Sequence, residues 1–68
     1  MTLRDRILRL ILGTAPPVKW DSVGLSCAIY ADGGPSVAAC RCYAMAAQLA
    51  REGRIKQTGA FTRATFSL

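Results

Sequence analysis

Few side chains in this chain can do chemistry. Three thiols (Cys27, Cys40 and Cys42) and four carboxylates (Asp5, Asp21, Asp32 and Glu52) stand beside nine lysines and arginines, and there is no histidine. Without histidine, a general base would have to be a carboxylate or a perturbed group. Each carboxylate has a simpler role as a helix cap, a turn residue or an ion-pair partner. Gly33-Gly34-Pro35 is a turn rather than a phosphate-cradling glycine loop. No catalytic set emerges, and an enzyme is not expected. A structural zinc site takes four Cys or His ligands, which three thiols cannot supply. An odd cysteine count also leaves no complete disulfide framework. The thiols are expected to act as small apolar residues in a reducing, cytoplasmic compartment, with no metal and no cofactor.

What remains is positive charge, and it is unevenly spread. The net charge is +5. In residues 1–32, Arg4, Arg6, Arg9 and Lys19 face three aspartates, a surplus of +1. In residues 33–68, Arg41, Arg51, Arg54, Lys56 and Arg63 face only Glu52, a surplus of +4. A basic half of this kind fits a surface for a polyanion. The 68 residues make one domain, and 51% hydrophobic against 19% charged residues is the balance of a globular chain. The apolar run Leu3–Leu12 is broken by Arg4, Asp5, Arg6 and Arg9. It falls short of the roughly 20 residues of a membrane span and lacks the unbroken core of a signal peptide. No membrane partner is expected.

The elements that must position these charges follow from periodicity. Thr2 can cap a helix over about residues 3–12, with Asp5 in a capping-box-like place and Leu3, Ile7, Leu10 and Ile11 on one stripe. Gly13 and Pro16-Pro17 stop it. Val18-Lys19-Trp20 is short and extended. Asp21 or Ser22 can cap a second helix that buries Leu25, Ala28 and Ile29, although Gly24 costs it about 1 kcal/mol relative to alanine. Asp32-Gly33-Gly34-Pro35 is a turn. Ser36 is expected to cap a third helix, whose Ala38, Cys42, Met45 and Leu49 share one arc with Ala46 beside them, and which ends at Gly53. The period then changes to two. Ile55 alternates with Arg54 and Lys56, and Ala64, Phe66 and Leu68 alternate with Arg63, Thr65 and Ser67. With the turn Thr58-Gly59-Ala60 between them, these segments read as a β-hairpin.

Leu49-Ala50-Arg51-Glu52-Gly53-Arg54-Ile55 resembles the stretch that closes the recognition helix of bacterial winged-helix regulators. In that family an apolar residue, three small or polar residues, a glycine and a β-branched residue mark the step into the wing. Cys42, Ala46 and Leu49 fall where the family buries Val, Leu and Leu, and Arg63–Leu68 is similar to the returning wing strand. The resemblance covers nearly all of residues 1–68. It implies a single winged helix-turn-helix domain: α+β, three helices followed by a C-terminal β-hairpin. It also implies a small duplex-DNA-binding protein, a transcriptional or mobile-element regulator of bacterial or phage type.

The resemblance assigns roles residue by residue. The exposed face of the third helix, with Arg41, Tyr43, Ala44, Ala47, Gln48 and Arg51 on it or beside it, would enter the major groove. There Arg reads guanine, Gln reads adenine and small residues meet thymine methyls. Arg54, Lys56 and Arg63 would touch phosphates or the minor groove, or else guard a sheet edge. Ser36 and the amides after it would sit at a helix N-terminus, as a plain cap or a phosphate site. Trp20 is a stacking platform or a cover for the core. A different class of function stays open. Cys40, Ala44 and Ala47 make a small apolar face that suits a protein-interaction module, an inhibitor or adaptor encoded by phage or host. Few base-reading side chains are present, so a homodimer or a protein partner is expected. Its surface would be Leu8 and Leu12 of the first helix or the alanine face of the third.

Overall fold

A computed structural model of the chain describes residues 2–14, 19–60 and 63–68. Helix α1 spans Leu3–Leu12, as its stripe predicts. The Asp5 N–H donates to the Thr2 hydroxyl at 3.2 Å. Asp5 in the first turn and Arg9 in the last complement the helix dipole. Ile7 and Ile11 are fully buried, whereas Leu12 is 54% exposed. The expected stop at Pro16-Pro17 and the strand residue Val18 lie outside the described residues.

Strand β1, Trp20–Asp21, runs directly into helix α2, Ser22–Ala31. Asp21 is the N-cap, and its Oδ1 accepts the Gly24 N–H at 2.6 Å. A Cβ on Gly24 would come within 2.8 Å of that oxygen. The glycine that lowers helix propensity therefore makes room for the cap. Leu25 and Ile29 are buried and Ala28 is half-buried.

Helix α3 spans Ala39–Arg51, with Ala38 as N-cap and no side-chain cap bond. The expected Ser36 cap is thus corrected: Ser36 is exposed in the connection, and Ala38 stands outside the helix and is exposed. The cause is a tether. Pro35 keeps Gly34 out of the helical region. Two residues beyond it, the Val37 carbonyl accepts the Ser26 hydroxyl of α2, while Val37 packs against the core. The chain stays extended until that contact is complete. Cys42, Ala46 and Leu49 are buried as expected, and Met45 is partly so. At the other end Gly53 adopts φ +80°, and the Arg54 N–H returns to the Leu49 carbonyl at 3.1 Å. This is the left-handed glycine stop that reverses the chain into the hairpin.

Strands β2, Lys56–Thr58, and β3, Thr65–Ser67, pair antiparallel with Gln57 opposite Phe66. On the other edge of β3, Trp20 stands opposite Phe66, giving the sheet order β1-β3-β2. The architecture is α+β: three helices and a C-terminal hairpin to which the short early strand adds. Leu68 departs from the expected alternation and is 41% exposed, because it lies one residue beyond the last paired position. The core draws on all three helices and the sheet, from Ile7 and Ile11 through Leu25, Ile29, Cys42, Ala46 and Leu49 to Ile55, Ala64 and Phe66. Helix α3 packs on both α1 and α2, so its remaining face looks outward.

Candidate nucleic-acid interface

Because α3 buries Cys42, Ala46 and Leu49, helical geometry turns Arg41, Gln48, Ala44, Arg51, Cys40 and Ala47 into one continuous arc of about 120° on the opposite side. Arg41, Ala44, Gln48, Arg51 and Cys40 are exposed, and Ala47 is half-buried. Five of the six expected recognition-helix residues thus share the arc. Tyr43 does not. It is half-buried, with its ring 6.2 Å from that of Phe66, so it braces α3 against the sheet. The expectation that Tyr43 stands on or beside the open face is corrected to a packing position.

Lys56 and Arg63 are exposed on the hairpin and its connection. Arg54 is exposed as well, but its Nε lies 3.4 Å from Glu52 Oε1. Glu52 is the hub of the junction. It accepts hydrogen bonds from Arg4 Nη1 at 2.7 Å and Nη2 at 2.6 Å, and from Gln48 Nε2 at 3.4 Å. The Arg4 bonds above all hold its carboxyl at about 2, far below an ordinary glutamate. The same pairing pushes the Arg4 pKa up. The only side-chain carboxylate of residues 33–68 is therefore already engaged, while Arg41, Arg51, Lys56 and Arg63 are exposed. Sequence spacing relates Gln48 to Glu52 and Arg54 to Glu52, but nothing local points to Arg4.

Ser36 lies outside α3 and does not join the arc through a helix N-terminus. Trp20 packs partly against the core, and its indole N–H donates to the Thr14 hydroxyl at 3.1 Å. That places it as a core cover and not as a stacking platform. The thiols divide. Cys42 is buried, and that burial pushes its pKa up, while Cys27 and Cys40 are exposed. Cys42 is thus a small apolar core residue, while Cys40 lies on the open face of α3 and Cys27 on the surface of α2. Among the described residues no group of three or more Cys, Asp or Glu side chains gathers to hold a metal ion. No helix among them is long and apolar enough to cross a membrane. A shallow cleft of about 240 Å³ is lined by Arg6, Arg9, Leu10, Ile29 and Asp32, none of them on the α3 arc.

Comparisons with protein-family models, with curated proteins and with solved structures give no match to this chain.

Proposed function

We propose that this chain is a winged helix-turn-helix domain that binds duplex DNA and acts as a transcriptional or mobile-element regulator, by binding and not by catalysis. One observation carries the reading. The outward arc of α3, with Arg41, Gln48 and Arg51, runs through a glycine stop straight into a hairpin that carries Lys56 and Arg63. A cationic helix face with long hydrogen-bonding side chains suits base edges in the major groove. Cys40, Ala44 and Ala47 leave that face low enough for close approach. The hairpin cations then meet the flanking phosphates, which fix position rather than sequence. Arg54 is held beside Glu52 and contributes the weakest phosphate contact of the three. Ser36 and Tyr43 are left out of the interface. Amide chemical shifts recorded on adding an arbitrary duplex test the reading. Perturbations should centre on Arg41, Ala44, Gln48, Arg51, Lys56 and Arg63. Shifts confined to α1 and α2 would contradict it.

The small apolar residues of the arc, Cys40, Ala44 and Ala47, favour a second reading, in which α3 packs on another protein. Salt separates the two. Phosphate binding weakens steeply as salt rises, and apolar packing does not.

A further inference from the structure

Gln48 is exposed on the outward arc of α3, and its amide has a partner there. Its Nε2 donates to Glu52 Oε2, one turn further along the helix, at 3.4 Å. A carboxamide has two ends of similar shape and opposite character: the nitrogen donates and the oxygen accepts. Free in solvent, such a side chain offers either end. Beside Glu52 it does not. An ionised carboxylate accepts and cannot donate, so a half-turn of the amide would exchange a hydrogen bond for oxygen against oxygen.

Glu52 is itself held. Arg4 Nη1 donates to Oε2 and Arg4 Nη2 to Oε1, at 2.7 and 2.6 Å, and Arg54 Nε donates to Oε1 at 3.4 Å. Each carboxylate oxygen thus takes one short bond from Arg4 and one longer bond from α3 or the residues just after it. The anchor that Gln48 meets is fixed from the far end of the chain.

We propose that Glu52 is a positioning residue for Gln48, turning the amide so that it selects adenine over guanine in the major groove. The proposal rests on the DNA-binding reading for its base, whereas the setting of the amide belongs to the free chain. Glu52 takes one of the two amide N–H groups. The oxygen and the second N–H remain. Adenine presents the N6 amino group as donor and N7 as acceptor, a match for both. Guanine presents two acceptors, O6 and N7, and one of them would meet the amide oxygen. A glutamine free to turn could offer guanine its nitrogen instead. Setting the amide before binding also removes part of the cost of ordering a long side chain at the interface.

Two measurements test this on the full chain. Without DNA, nuclear Overhauser contacts should join the Gln48 side-chain N–H protons to the Glu52 γ-protons in the wild type. Their absence overturns the proposal. Selection from a pool of duplexes randomised over one turn of the double helix then reads the base. At one position the wild type should favour adenine over guanine by about tenfold, and Gln48→Ala should lose that preference. Glu52→Gln should also bring the ratio close to unity, because an amide at position 52 meets either end of Gln48. In a Gln48→Ala background Glu52→Gln should change the ratio no further. A merely structural or charge effect of Glu52 would instead move affinity for all sequences alike in both backgrounds. A Gln48-dependent adenine that persists undiminished in Glu52→Gln overturns the proposal, as does a Gln48-dependent guanine in the wild type. Thermal melts confirm the fold of each variant. If Glu52→Gln does not fold, the Overhauser contacts and the Gln48-dependent base decide. A wild type that binds no duplex defeats the DNA-binding reading and the base assignment with it. One that binds duplex but fails either test defeats the positioning role alone.

Discussion

Arg4, in the first turn of α1, grips Glu52, the C-cap of α3, through two hydrogen bonds of 2.7 and 2.6 Å across 48 residues of chain. Paired guanidinium–carboxylate bonds of this kind are among the stronger and more directional contacts available to side chains. This one ties the start of the fold to the step from α3 into the hairpin.

The pair makes stability depend on pH. Glu52 titrates near 2 in the folded chain against an ordinary 4.5. Its contribution is therefore complete above the ordinary value and is lost as pH falls through about 2. Glu52→Gln should melt below the wild type near neutral pH, and the gap should close as pH falls from about 5 towards 2. A gap constant across that range would show that the pair contributes nothing. High salt should narrow it as well, since the pair is solvent-accessible.

Leu49 is fully buried where α3 meets the rest of the core. Leu49→Ala should destabilise by about 2–5 kcal/mol, the usual range for such truncations. In so small a domain that is enough to leave much of the chain unfolded. Urea titration measures it, and a loss under about 1 kcal/mol would misplace the core.

Gly34 donates its N–H to the Ile29 carbonyl at 2.9 Å. A Cβ there would lie 2.7 Å from that same oxygen, 2.7 Å from Arg6 Nη1 and 2.8 Å from Ile29 Cγ2. Gly34→Ala should cost about 1–3 kcal/mol by overpacking. An unchanged melting midpoint would mean that the α2–α3 connection is looser than its contacts indicate.

Folding should need no metal. Cys42 is in the core, whereas Cys27 and Cys40 are exposed on different helices. Thermal melts with and without a chelator should coincide, and a large drop on chelation would contradict this.

Periodic features were the legible ones. The α1 stripe, the Thr2 and Asp21 caps, the Cys42–Ala46–Leu49 arc and the Gly53 stop all depend on neighbours within one or two turns, and each lies where spacing places it. What spacing could not reveal depends on long-range contact. Ser26 meets the Val37 carbonyl across the turn and delays α3 to Ala39, so Ser36 loses its cap. Tyr43 differs little from Arg41 as a pattern but leans on Phe66, which arrives 23 residues later. Arg4 and Glu52 carry no local signal at all. The outer face of α2 was hidden for a different reason. Spacing already placed Leu25 and Ile29 on the buried side of the helix, but the degree to which the opposite side, with Val23 and Tyr30, stands open is read only from the structure.

Affinity for an arbitrary duplex, measured against salt concentration, tests duplex-DNA binding most directly. The logarithm of the binding constant should fall linearly with the logarithm of salt, by about 0.9 per phosphate neutralised on B-DNA. In the triple variant Arg54→Ala, Lys56→Ala, Arg63→Ala, affinity should drop alike for all sequences, and the slope should flatten by up to about 3 units, one per lost contact. Arg41→Ala or Arg51→Ala should instead weaken binding unequally between sequences. Binding that is indifferent to salt, or a triple variant with the wild-type affinity and slope, would contradict the account.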